Sequence, residues 1–223
     1  VAPKPAADIL AVDFARRGYN IVRFHHFDRM ILNDGGRKPG VNSAALDRMF
    51  YVFAKLKERG VYSTLDLFTM RKLPSGSIPG FSDEDLDRNA KGLLMFTKEG
   101  RQILCEFAKT LLCTKNPYTG MALKDDPSLV SVSIVNENAL QSLYKGSIMH
   151  MIRYRYNKYL KENNLSDTKL REAEFLRDQY MQYYNYMHSF LRELGVKALI
   201  TDQNFMRSVY QSTIAANYDI VDT

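Results

Sequence analysis

Two hydrophobic patterns alternate along this chain. Apolar residues spaced three or four positions apart predict helices over residues 8–17, 44–59, 98–113, 147–163, 166–194 and 208–216. Between them, short runs rich in β-branched residues predict five strands, near residues 20, 62, 130, 197 and 218. Regular alternation of helix and strand indicates parallel strands joined by right-handed crossovers, and therefore an α/β fold.

The same helix-to-strand corner occurs three times. A charged helix end, a glycine and then a strand follow one another at Gly18, Gly60 and Gly195, and glycine is the residue that most often ends a helix. The connections after the strands are longer, and residues 71–91 are rich in Pro, Gly, Ser and Asp. Long loops on one face only are typical of a (β/α) barrel enzyme. A doubly wound sheet is the alternative, although no glycine-rich phosphate loop follows any predicted strand.

The strand at residues 129–135 ends in Asn136-Glu137-Asn138, two amides around one carboxylate. In barrels of parallel strands the carboxyl ends of the strands carry the chemistry. Strand ends also turn polar in ordinary loops, so these residues alone leave a solvated loop equally open.

A second polar group follows the first predicted strand. Arg23 lies within an apolar run, and a buried arginine needs an anion, for which Asp66 on the next strand is a candidate. His25 shares a strand face with Arg23, whereas His26 points the other way if the strand continues. That alternation argues against both histidines holding one metal ion.

Composition narrows the class of protein. The 223 residues are 45% hydrophobic, enough for a sizeable core, and no run is long enough for a membrane span. The net charge is +6, but Lys and Arg are interleaved with Asp and Glu, so we expect solvated helix faces and no nucleic-acid partner.

Cys105 and Cys113 lie too far apart on one predicted helix for a disulfide and have no metal-ligand spacing. The chain starts without a methionine or a signal peptide, so we expect it to follow processing or to be part of a longer protein.

The residues from Pro127 to Glu137 resemble the fourth strand of the clan A retaining glycoside hydrolases, a proline-led strand that ends in Asn-Glu. Residues 18–23 resemble the second strand of glycoside hydrolase family 5, which carries a functional arginine. The likeness is to the cellulase-like members and covers nearly the whole chain in element order. It implies an incomplete (β/α)8 TIM barrel, in which residues 1–223 form a partial catalytic domain with about five parallel strands, roughly strands two to six.

The resemblance also implies roles. Glu137 becomes the general acid/base, which must give a proton to the leaving oxygen of a β-linked glycan. Asn136 matches the asparagine that binds the sugar 2-hydroxyl, and Arg23 matches the arginine that holds the nucleophile. The nucleophile itself, a glutamate, would lie past Thr223. We therefore expect residues 1–223 alone not to hydrolyse glycosides.

The remaining predicted substrate-binding residues follow the other strand ends: His25, His26, Asp66, Asn138, Asp202 and Asn204. Loop capping is the alternative for the last two. The family often has a histidine at the end of strand three, where Phe68 stands here, and the histidine pair could replace it. The absence of tryptophan is unusual for a polysaccharide-binding surface.

Two other functions stay open: a metal-dependent barrel hydrolase using His25, Asp66 and Glu137, for which no HxH pair exists, and a noncatalytic carbohydrate-binding barrel. For the glycosidase we expect no cofactor and no metal. Its partners would be an oligosaccharide or polysaccharide and the remainder of the barrel, from a longer chain or a partner fragment. The resemblance implies a secreted, periplasmic or cell-surface protein.

Overall fold

The computed structural model describes residues 2–138, 146–202 and 209–221. The helices are α1 (Lys4–Arg16), α2 (Asp28–Ile31), α3 (Ser43–Glu58), α4 (Asp83–Arg88), α5 (Ala90–Phe96), α6 (Lys98–Cys113), α7 (Gly146–Glu162), α8 (Lys169–Glu193) and α9 (Val209–Ala215). The strands are β1 (Ile21–Phe24), β2 (Tyr62–Phe68), β3 (Leu129–Val135) and β4 (Leu199–Thr201), and two 3-10 turns cover Asn33–Gly36 and Leu123–Asp125.

The four strands are parallel and pair in chain order, β1-β2-β3-β4, with helices in each crossover. This is the architecture of a partial (β/α)8 barrel, as predicted. In the register, Arg23 pairs with Thr64, Asp66 with Ser133, and Ser133 with Thr201. All four carboxyl ends therefore lie at the same edge of the sheet, where the polar residues of the sequence are concentrated.

The three predicted corners are confirmed. Gly18, Gly60 and Gly195 have φ of +79°, +73° and +85°, the left-handed region that glycine enters without steric cost. Each glycine N–H donates to a carbonyl in the last turn of the preceding helix, at 2.9–3.1 Å. The corners therefore satisfy helix-end carbonyls while they turn the chain directly into a strand.

Residues 71–91 are not a plain loop, because they contain all of α4 and the start of α5. A reciprocal capping box starts α4: the Ser82 hydroxyl accepts from the backbone N–H of Asp85, and the Asp85 carboxylate accepts from the backbone N–H of Ser82. Three acidic residues in the first turn add to the helix dipole interaction. The connection after β2 is thus a structured wall beside the strand ends.

The strand predicted near residue 218 is wrong for the described residues, since residues 218–220 form a bend and no strand is present there. Asp219 nevertheless binds the edge of β4: its backbone N–H donates to the carbonyl of Ile200 at 3.1 Å, and its carboxylate accepts the Ile200 N–H at 2.8 Å. A side chain here takes one of the hydrogen bonds that a paired strand would make, which is a known way to cover a sheet edge.

The core lies between the sheet and the crossover helices. Strand residues such as Leu67, Val132 and Ile200 pack with Phe53 of α3 and Leu191 of α8, all fully buried. Three tyrosines of α8 belong to this core, because Tyr180, Tyr183 and Tyr184 are at most 2% exposed. Within the part of the chain that the structure describes, no helix is long and apolar enough to cross a membrane.

Candidate active site at the strand ends

Arg23 of β1 connects three neighbouring strands. Its Nε and Nη2 donate to both carboxylate oxygens of Asp66 at 2.8–3.3 Å, and Nη2 also donates to Oδ1 of Asn136 at 3.0 Å. Asp66 is 1% exposed and Asn136 is 3% exposed, so the carboxylate and the amide are held in a largely desolvated environment, whereas the Arg23 side chain is 34% exposed. The guanidinium thereby fixes the orientation of the Asn136 side chain, which ends β3.

His25 joins the same group, as predicted. Its Nδ1 lies 2.5 Å from Oδ2 of Asp66, so Asp66 receives both the guanidinium and the imidazole. The alternation that would turn His26 the other way does not apply, because β1 ends at Phe24 and the strand does not continue. His26 has φ of +54°, and its ring lies edge-on to that of His25 with centroids 3.8 Å apart.

Glu137 follows Asn136 in a left-handed conformation, with φ of +50°. This value is uncommon for a residue with a side chain, and residues in sparsely populated backbone conformations cluster at functional sites. Glu137 is exposed, whereas Asn136 and Asn138 on either side are buried. It lines a pocket of about 530 Å³, together with His26, Asn136 and residues 87–92. The structure therefore brings Arg23 and the predicted strand-end residues 25, 66 and 136 into one hydrogen-bonded group, with Glu137 directly beside it.

Asn138 and Asp202 occupy a different position from the one predicted. Both are 0% exposed, so neither presents a surface to a substrate. Asp202 accepts the backbone N–H of Val135 at 2.7 Å, the Asn138 amide at 3.2 Å and the hydroxyl of Tyr180. These bonds tie β3, β4 and α8 together beneath the strand ends. Asn204, the last of the predicted site residues, lies outside the described residues.

Two residues of the pocket region, Lys91 and Arg71, were not predicted. Lys91 of α5 lines the pocket and donates to the carbonyl of Glu137 at 3.4 Å; partial burial lowers the pKa of its ammonium, an effect that the Glu137 carboxylate opposes. Arg71 lies between the rings of Phe68 and Phe107, and burial lowers the pKa of its guanidinium to about 10, with Asp28 acting against that change. These residues lie in connections whose composition indicates only a loop or a turn.

The described residues provide no ligand set for the alternative of a metal-dependent hydrolase. Among the described residues, no group of three or more His, Cys, Asp and Glu side chains could hold a metal ion. The Asp66 carboxylate is already engaged by Arg23 and His25, and a guanidinium at that position would repel a cation. We therefore do not retain the proposed set of His25, Asp66 and Glu137.

Similar folds occur among solved structures. An endo-1,4-β-mannanase from Rhizomucor miehei matches with a TM-score of 0.59 at 12% identity, over 94% of this chain and 55% of that one. A glycoside hydrolase family 5 mannosidase from the same organism, solved with mannosyl-fructose, gives 0.59 at 10% identity, over 96% and 49%. The chain has the fold of part of a glycoside hydrolase family 5 barrel. An endo-β-1,4-mannanase from Thermotoga petrophila gives 0.56 at 13% identity, over 93% of this chain and 41% of that one.

The chain thus spans about half the length of the solved structures that it matches. No protein-family model and no curated protein matches the sequence. The likeness shows the fold, and it places the four described strands in a barrel of the predicted type.

The Arg23 contacts allow a direct test of stability. We expect Arg23→Met to lower the free energy of unfolding by about 2 kcal/mol, because it leaves the buried Asp66 carboxylate with His25 alone; the partial exposure of Arg23 keeps the loss below that for a fully buried pair. Arg23→Lys should recover only part of this, since an ammonium cannot donate from two fixed nitrogens to Asp66 and Asn136. Denaturant titration of the chain measures both.

Arg17→Met is the matched control, because Arg17 forms an exposed ion pair with Asp13 whose side chains are 65% and 49% exposed. We expect no measurable loss there. Equal stability of the Arg23→Met variant and the parent would contradict the role given to this contact.

Proposed function

We propose that this chain supplies the acid/base half of the active site of a retaining glycoside hydrolase that acts on β-linked glycans. The observation that carries the proposal is the hydrogen-bonded group of Arg23, Asp66 and Asn136 at three adjacent strand ends, next to the exposed Glu137. Glu137 is the general acid and then the general base. Asn136, with its amide oxygen held by Arg23, presents its amide nitrogen to the sugar.

The position of Glu137 suits this role on physical grounds. A general acid must reach the leaving oxygen from a rigid support. Glu137 follows a strand that pairs with β2 up to its last residue, and its backbone carbonyl accepts a hydrogen bond from Lys91. Its side chain is open to the pocket, while the amides on either side are buried. The carboxyl group is therefore accessible to a glycan, while the backbone that carries it is held in place.

A retaining mechanism needs a second carboxylate about 5–5.5 Å from the first. The candidates at other described strand ends are Asp66 and Asp202, and both are at most 1% exposed. Asp66 is held by Arg23 and His25, and Asp202 by Val135 and Asn138, so neither can attack an anomeric carbon. We infer that another part of the barrel supplies the nucleophile.

Mechanism-based labelling tests this proposal. The complete polypeptide, incubated with activated fluorosugars of the β-glucoside and β-mannoside series, should form a covalent glycosyl adduct on a glutamate outside residues 1–223. Residues 1–223 alone should form none. Peptide mass spectrometry locates the adduct.

Two outcomes would overturn the proposal. An adduct on Asp66 or Asp202 would assign the nucleophile to a residue that the structure buries. Binding of β-linked oligosaccharides by the complete polypeptide, with neither turnover nor adduct, would favour the noncatalytic barrel instead.

A further inference from the structure

A second pocket, of about 400 Å³, lies among the crossover helices. It is formed at the end of α5 and the start of α6, with α7 and α8 opposite, and it shares no lining residue with the strand-end pocket. Its lining residues are Met95, Phe96, Lys98, Arg101, Arg155, Gln179, Gln182 and Tyr186. Three of the eight side chains are cationic and two are amides, and no carboxylate is among them.

The two arginines are anchored in place. Arg101 donates from Nη1 to the carbonyl of Met95 at 2.7 Å, and Arg155 donates from Nη1 to the carbonyl of Phe96 at 2.6 Å. Each guanidinium has five N–H donors, so anchoring by one nitrogen leaves the others available. Within the described chain, neither arginine forms an ion pair, nor does Lys98, although most other arginines do.

The positive charges are close enough to oppose one another. Partial burial lowers the pKa of Arg155, and the charge of Arg101 lowers it further, with no carboxylate acting the other way. Two like charges in a partly desolvated pocket raise the free energy of the folded state unless an anion balances them. The 16-residue helix α6 begins at Lys98, so the positive end of its dipole lies in the same region.

We propose that this pocket binds a tetrahedral oxyanion of the phosphate or sulfate class. The planar, fixed guanidinium groups of Arg101 and Arg155 suit the paired oxygens of such an anion. Lys98 contributes a third charge, and Gln179 and Gln182 contribute amide donors. The ligand is either the free ion or the same group carried on a sugar as an ester. The inference is independent of the proposed hydrolysis, because it involves none of the strand-end residues.

Calorimetric titration of the chain with sodium sulfate and sodium phosphate, against sodium chloride at equal ionic strength, tests the proposal. We expect saturable binding of the tetrahedral anions that weakens as salt rises. Arg155→Gln should reduce the affinity at least about tenfold, since it removes a charge-assisted contact. Arg177→Gln is the control, because Arg177 lies on the same helix α8 that lines the pocket but pairs with Asp178 at the surface, and its affinity should match the parent.

Arg155 also holds the carbonyl of Phe96, so its loss could disturb the fold. Lys98→Gln leaves both carbonyl contacts intact, and we expect it to weaken binding several-fold with unchanged circular dichroism. A parallel titration with a sulfated and an unsulfated form of one oligosaccharide separates the two sources. Tighter binding of the sulfated sugar than of free sulfate indicates an ester ligand, and equal binding indicates the ion. Binding that is absent in the parent, or unchanged in both variants, overturns the proposal.

Discussion

Glu137→Gln should slow the hydrolysis of glycosides with poor leaving groups by about 100-fold or more in the complete polypeptide, the usual contribution of a general acid. The amide keeps the size of the side chain and the left-handed backbone at residue 137, but it has no acidic proton to give to the leaving oxygen. Activated aryl glycosides should lose much less in the glycosylation step, because their leaving groups need little protonation.

The comparison of the two substrate types identifies the role of Glu137. Pre-steady-state measurement of the glycosylation step with one alkyl and one activated aryl glycoside separates the acid function from a loss of binding. Glu58→Gln is a suitable control, since Glu58 is an exposed helix residue paired with Lys55, and both rates should be unchanged. If the variant lost both activities equally in that step, Glu137 would not be the acid.

The parts of the fold that the sequence predicts well are those set by local interactions. The glycines at residues 18, 60 and 195 adopt the left-handed conformation that commonly ends a helix, so the corner could be recognised three times. The bounds of β3 were predicted correctly, because this strand is buried at every position except the partly buried Val130 and carries four β-branched residues and no charge.

The secondary-structure predictions that were wrong concern segments whose conformation depends on non-local contacts or on weak local signals. Residues 218–221 are apolar except for Asp219 and resemble a strand, but strand formation needs hydrogen bonds from neighbours, and Asp219 uses its side chain on Ile200 instead. The helices α4 and α5 were missed because their region is rich in residues typical of loops. The Ser82 and Asp85 capping box was the signal for α4, although Asp in place of Glu or Gln makes that pattern weaker.

In the candidate site, too, some residues could be placed from the sequence pattern and others depend on the tertiary structure. Arg23, Asp66 and Asn136 could be placed together because parallel strands bring their carboxyl ends to one edge. His26 could not be placed, because its left-handed backbone ends the alternation on which its predicted direction depended. Lys91 could not be found either, since only the tertiary packing of α5 beside β3 brings its ammonium to the carbonyl of Glu137.

The largest expected effect on stability comes from Asp202. Burial raises the pKa of its carboxyl from 3.8 to about 7, even though the hydrogen bonds from Tyr180, Val135 and Asn138 act in the opposite direction. At a pH between these two pKa values, the Asp202 carboxyl keeps its proton in the folded state but has released it in the unfolded state. The free energy of unfolding should therefore fall as pH rises from about 4 to about 7, and the contribution of this one group reaches about 4 kcal/mol.

Asp202→Asn removes this titration and so isolates it from the other groups that titrate in the same range. The absolute stability of the variant depends on how well the amide replaces the contacts to Tyr180 and Asn138. The difference from the parent should nevertheless change with pH, so that the parent loses about 4 kcal/mol relative to the variant between roughly pH 4 and pH 8. Urea unfolding at closely spaced pH values measures this difference. Asp126→Asn is a control for which we expect the opposite sign. Burial raises the pKa of the Asp126 carboxyl, but hydrogen bonds from Lys57 and Ser128 outweigh this effect and lower it. The parent should therefore gain stability relative to Asp126→Asn as the pH rises from acidic values. A parent-to-variant difference at Asp202 that did not vary with pH would show that folding does not shift the pKa of this carboxyl.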